Sequence, residues 1–167
     1  MEQDQRREWL NQAITRWEKQ ILHLCFAYLG DTALAEDAVQ ETFFKAWRHY
    51  DGFRGESDEK TWLMRIAMNT CRDLLKSSWV RNTDRSVTPD QLPEGSVPFG
   101  ERDDTVTRAV MSLPPRLREA VLLRWYQGLS LKEMTGVLHL PRSTVNYRLK
   151  KAKTMLKGKL EDWYYEE

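Results

Sequence analysis

The sequence predicts an all-α fold: two small helical domains joined by a flexible linker. Three observations lead there. Apolar residues recur at helical spacing in both halves of the chain, strand-like alternation is absent throughout, and the segment between Trp79 and Asp104 breaks the pattern with Pro89, Pro93, Gly95, Pro98 and Gly100. A stretch of that length without periodicity is too long for an ordinary connection inside one domain. It predicts domains at 1–80 and 105–163, with 81–104 as the linker.

The elements follow in order. Leu10, Ile14, Trp17, Ile21, Leu24 and Tyr28 place one long helix over Glu8–Leu29, and Gly30-Asp31 ends it and caps the next. Ala35, Ala38, Val39, Thr42, Phe43, Ala46, Trp47 and Tyr50 form one apolar stripe of a second helix. Leu63, Ile66, Ala67, Cys71 and Leu74 do the same for a third, Thr61–Ser77. In the C-terminal half, a short helix over Thr105–Ser112 meets Leu113-Pro114-Pro115, where proline suits the first turn of the next helix, which ends at Gln127-Gly128. Ser130 with Glu133 has the capping-box spacing. A short helix then runs to about Leu138, His139-Leu140-Pro141 turns the chain, and a last helix runs from Arg142 to Leu160 or beyond.

The net charge of +1 conceals strong segregation. Residues 1–59 carry net −5, 60–82 net +4, 83–105 net −4, 106–160 net +10 and the last seven net −4. Two basic blocks between acidic ones predict two polyanion-facing surfaces, with other faces for a different partner. No apolar run approaches the roughly 20 residues that span a bilayer, and the polar N-terminus is unlike a signal peptide, which predicts a cytoplasmic protein that does not insert in the membrane. Cys25 and Cys71 fall in apolar helical stretches and read as buried thiols, with a disulfide or metal site as the minor alternative. There is no Gly-rich phosphate loop, no paired His/Cys ligands and no nucleophile elbow, and His23, His49 and His139 are scattered, so no catalytic residue, metal or cofactor is expected.

Ser130–Leu149 has the layout of a helix-turn-helix. Val145, Leu149, Ala152 and Leu156 form the buried seam of its second helix. Arg142, Ser143, Thr144, Asn146, Tyr147, Arg148, Lys150 and Lys151 are the candidate duplex-DNA contacts: Arg suits guanine, Asn suits adenine, and Lys suits phosphate. The other reading is a solvated basic helix, against which stands the coincidence of charge, cap and turn.

Two N-terminal faces are also singled out. Asp37, Gln40, Glu41, Phe44 and Arg48 share a second face of their helix, an acidic stripe with a central aromatic that suits a basic protein partner. Periodicity leaves open whether Phe44 is exposed or tucked under a neighbour. Trp62, Arg65, Asn69, Arg72 and Lys76 share an off-core face of the third helix, preceded by a loop with Phe53 and Arg54, the composition of a surface that stacks an unpaired base. The alternative is that Trp62 belongs to the core.

Three ordered stretches carry a family resemblance. Asp31–Trp47, DTALAEDAVQETFFKAW, resembles region 2 of RNA polymerase sigma factors, especially the extracytoplasmic-function group. Tyr50–Leu75, YDGFRGESDEKTWLMRIAMNTCRDLL, resembles the block that follows it, and Leu113–Leu160 resembles region 4. The resemblance implies an alternative sigma factor of the sigma-70 family. Asp37, Gln40, Glu41, Phe44 and Arg48 would bind core RNA polymerase. Phe53, Arg54, Trp62, Arg65, Asn69, Arg72 and Lys76 would open and read the −10 element as a single strand, with Asn69 at the base-contacting position. Arg142 to Lys151 would read the duplex −35 element. The linker would run toward the polymerase's RNA-exit path, and an anti-sigma factor, usually membrane-linked, would hold the protein silent. Thr135 and His139 depart from the family's usual Ala and Gly, and Asn146 and Tyr147 from its commoner Lys and Ser. The last two face the groove, so the resemblance does not transfer a promoter sequence. The competing readings are a helix-turn-helix regulator acting without polymerase and an enzyme.

Overall fold

A computed structural model describes residues 2–53, 58–81 and 104–165, with backbone alone for 78–81, 104 and 161–165. All regular structure among the described residues is helical: α1 (Glu2–Leu29), α2 (Thr32–Arg48), a 3₁₀ turn (Tyr50–Gly52), α3 (Glu59–Arg81), α4 (Asp104–Met111), α5 (Pro115–Val121) continued by a π turn (Leu122–Tyr126), α6 (Leu131–Leu138) and α7 (Arg142–Tyr165). Residues 82–103 of the expected linker, and Arg54, lie outside the described residues.

The punctuation signals act as expected. Gly30 takes φ 69°, and its N–H reaches the Phe26 carbonyl at 2.8 Å, closing α1. Asp31 then caps α2, accepting from the Leu34 N–H at 2.9 Å. Both halves of the Ser130/Glu133 capping box are formed, at 3.0 Å each. His139 closes α6 in the left-handed region at φ 55°, a conformation a non-glycine residue adopts at some cost. Two helices are longer than their apolar patterns. α1 begins at Glu2 and α3 continues to Arg81, because an established helix extends by one hydrogen bond per residue without needing a core face.

In the N-terminal half α1, α2 and α3 pack around Ile21, Leu24, Tyr28, Phe43, Leu63 and Met68. The α2 stripe is buried from Ala35 through Ala46, but Trp47 is 38% exposed and Tyr50 half-buried, since the helix ends at Arg48 and the stripe runs out past its packing partners. α3 also buries Met64 and Met68, which lie outside its expected stripe, because it touches α6 as well as α1 and α2. In the C-terminal half Leu117, Leu122, Leu123, Leu129, Met134 and Val137 surround the α7 seam of Val145, Leu149 and Ala152, with Leu156 half-buried. The π turn carries Leu122 and Leu123 inward while Trp125 is turned out to solvent.

The two halves touch. The buried apolar residues form one continuous cluster, through contacts of α3 with α6 and of α1 with α5 and the π turn. The sequence pattern gives no sign of this arrangement.

Candidate nucleic-acid and protein interfaces

α2 supplies the first surface. Its core side is full, so the opposite side must face outward. Asp37, Gln40, Glu41, Phe44 and Arg48 are all exposed, with Phe44 at 51%. This answers the question about Phe44: it is exposed and not tucked into the core, with the Arg48 guanidinium 5.6 Å from its ring. Beside this face runs a groove whose floor joins Leu10, Ile14 and Leu22 of α1 to Val39, Phe43 and Trp47 of α2. Glu18, Glu36 and Asp37 also line it. Stripe analysis of one helix at a time does not reveal the part α1 plays.

The second surface is the outer side of α3. Glu59 orients its first turn by accepting the indole N–H groups of Trp9 and Trp17, both at 2.7 Å, and an Arg16 N–H at 2.6 Å. Asp58 caps the helix by accepting from the Thr61 N–H at 2.6 Å, and hydrogen bonding from the Thr61 side chain first, then from its backbone, holds the carboxyl below the ordinary pKa. Trp62 is half-buried. It stacks on Phe53 with ring centroids 4.8 Å apart and meets Trp9 at 5.9 Å, so it is both packed and part of an aromatic surface.

The cations of α3 are not all open to solvent. Arg65 Nε donates to the Gly136 carbonyl of α6 at 2.7 Å. Arg72 donates from Nε and Nη2 to the two carboxylate oxygens of Glu119, at 3.0 and 2.8 Å, and from Nη1 to Asn69 Oδ1 at 2.9 Å. The bond to Glu119 raises the Arg72 pKa above its ordinary value. Asn69 and Lys76 are exposed.

The third surface is the start of α7. Arg142, Ser143, Asn146, Tyr147, Lys150 and Lys151 are exposed, Tyr147 at 62%, and Thr144 is half-buried. Lys151 Nζ stands 5.9 Å from the Tyr147 ring. Arg148 differs from its neighbours: its side chain is 17% exposed and points inward, 3.6 Å from Glu119.

Glu119 is thus central, and it is only 2% exposed. Next to it, Arg118 reaches across to the Tyr28 carbonyl at 2.5 Å while also bonding the Met111 and Leu113 carbonyls. Burial lowers the Arg118 pKa. The Tyr28 hydroxyl is pushed up to about 12, by burial first and then by the charge of Glu119. At the edge of the contact, Gln20 Nε2 donates to Gln127 Oε1 at 2.6 Å. Cys25 and Cys71 are free and buried, as expected, and their mutual hydrogen bond and burial push the Cys71 thiol up. Among the described residues no cluster of His, Cys, Asp and Glu could hold a metal ion, and no helix is long and apolar enough to cross a membrane.

Comparison with known proteins identifies the family. Sigma-70 region 2 matches residues 13–81, and Sigma-70, region 4 matches residues 103–156. The RNA polymerase sigma-H factor of Pseudomonas aeruginosa is 32% identical over 162 residues, covering 89% of this chain and 84% of that protein. The ECF RNA polymerase sigma-E factor of Escherichia coli K12 is 32% identical over 167 residues, covering 90% and 86%. In fold, the chain resembles the sigma factor RpoE of Bartonella quintana, solved with the anti-sigma factor NepR, at a TM-score of 0.72 and 24% identity over 90% of this chain and 96% of that one.

Proposed function

Because the chain belongs to the extracytoplasmic-function branch of the sigma-70 family, whose members direct transcription initiation and catalyse nothing themselves, we propose how its surfaces divide that task. Core RNA polymerase docks on Asp37, Gln40, Glu41, Phe44 and Arg48. The aromatic and basic side of α3, with Phe53, Arg54, Trp62, Arg65, Asn69, Arg72 and Lys76, takes the −10 element as a single strand. The start of α7, from Arg142 to Lys151, reads the −35 element in an intact major groove. Residues 1–80 and 105–163 act as the two DNA-facing bodies, and 81–104 tethers them, so that the first contact raises the effective concentration of the second.

The observation that carries this reading is the exposed polar face of α7. It follows a formed capping box and a tight turn, within a block of net charge +10. The acidic, aromatic α2 face supports the assignment to polymerase, since it is the wrong charge for DNA. An anti-sigma factor is the matching regulator, by analogy with the RpoE relative solved with NepR. We place the protein in the cytoplasm with a membrane-linked partner.

The test is transcription by core polymerase, with and without the purified protein, on a pool of genomic fragments from its host. Sequenced 5′ ends should share one −10/−35 pair that is absent with core alone. Initiation no better than core alone, together with tight binding to a palindromic duplex, would instead identify a regulator that works without polymerase.

A further inference from the structure

We propose that the outer turns of α1 are a positioning arm for the strand-reading surface. Arg6, Trp9, Arg16 and Trp17 hold the Tyr50–Gly52 turn and the first turn of α3, so that Phe53 and Trp62 form a preset stacking platform. The proposal rests on α3 being the face that takes the −10 strand.

The large, fully buried side chains of α1, Ile21, Leu24 and Tyr28, all lie in its second half. Upstream, Arg6, Trp9, Ala13 and Trp17 recur at offsets that share one face of a helix. Ala13 on that face is fully buried, so the arm is packed against its neighbours along its length.

Two anchors converge on the reader. At the first, Glu59 Oε1 accepts the Trp9 indole N–H, and Oε2 accepts the Trp17 indole N–H together with an Arg16 N–H. An acid at the start of a helix is favourable by itself. Three donors from another helix add direction, because an indole has a single N–H fixed to a rigid ring. The bond to Glu59 therefore sets where the Trp9 ring lies. That ring meets Tyr50 with centroids 4.9 Å apart and Trp62 at 5.9 Å, and Trp62 stacks on Phe53 with ring planes 30° apart.

The second anchor is Arg6. It pairs with Asp51, and its guanidinium lies 5.6 Å from the Tyr50 ring and 5.8 Å from the Trp47 ring. The Asp51 side chain is 83% exposed, so this pair adds little to stability. Its effect is on where the turn sits, immediately before Phe53. A platform whose rings are already placed loses less freedom when a base stacks on it.

The experiment uses polymerase holoenzyme assembled with the full chain, with core alone as the blank. The probe is a dT20 strand carrying one 2-aminopurine, whose emission is quenched on stacking. Trp9→Phe keeps a ring without the N–H donor, Glu59→Gln keeps the shape with one acceptor fewer, and Arg6→Gln removes the charge. Each should weaken strand binding about tenfold, the scale of one lost base–aromatic stack. Emission at saturating strand should also be less quenched, while affinity for core stays unchanged. Trp9→Phe combined with Glu59→Gln should be no worse than either alone, since both break one network. Circular dichroism checks folding, and Arg6→Gln at its exposed pair keeps the test available if a Trp9 or Glu59 variant unfolds. Folded variants with wild-type strand affinity and quenching would overturn the positioning role. If Trp62→Ala also left both readouts unchanged, the assignment of α3 as the strand-binding face would fall instead.

Discussion

The outer faces of α2 and α3 look alike as sequence and differ in the fold. Each is an off-core stripe of polar residues around one large aromatic. The α2 face is open along its whole length, whereas α3 gives Arg65 and Arg72 to the C-terminal half. Periodicity says which residues turn away from their own helix's core. It does not say whether a second body, distant in sequence, will cover them.

The largest effect should come from breaking the covered side. Glu119→Ala would leave Arg72 and Arg148 without their shared acid in a buried setting, a change that costs about 3–5 kcal/mol in comparable cases. Urea melts of wild type and variant give the number, and a shift below about 1 kcal/mol would mean that water already serves those cations.

Next comes pH. The Tyr28 pKa is raised to about 12 from 10, so the unfolded chain loses this proton first, and the folded state loses stability as pH rises between those values. Below pH 10 the contribution is fully present. Tyr28→Phe should flatten that part of the stability profile, and an unchanged slope would show that the hydroxyl is solvated.

On the open side, Phe44→Ala should weaken binding to core polymerase about tenfold, near 1.4 kcal/mol. Its melting curve should stay within about 0.5 kcal/mol of wild type, as for exposed positions generally. A large loss of stability would place Phe44 in the core after all. Smaller than the binding loss at Phe44 is the effect expected of Ser130→Ala on stability. Loss of that capping hydroxyl should cost about 1 kcal/mol, measurable by denaturant titration, without altering the α2 face.

Much of the fold was legible because it rests on local signals. Gly30-Asp31, Ser130/Glu133 and the α7 seam each act within a few residues, and each is formed as the sequence indicates. His139, where the family usually has Gly, takes the left-handed conformation at φ 55°. What escaped was long-range. Arg148 looks like its neighbours on α7, yet it turns inward because Glu119 is there. One signal did point to Glu119: residues 106–160 hold twelve bases and two acids, and the capping box accounts for Glu133 alone. An unexplained acid in a basic block is a candidate buried counter-ion. Glu59 left no such trace, since its partners Trp9, Arg16 and Trp17 lie more than forty positions away.

The wide turn at Leu122–Tyr126 has a bearing on how the helix-turn-helix is aimed. A five-residue hydrogen-bonded loop amounts to one residue inserted into an otherwise regular helix. Excising it, for instance by deleting Trp125, would straighten α5 and swing everything downstream by about 100° around the helix axis. If α7 is the groove-reading helix, as proposed, it would then approach DNA from the wrong azimuth with all its side chains still present. Under that assignment, the spacing upstream of the motif aims the helix as much as the side chains of α7 choose the sequence.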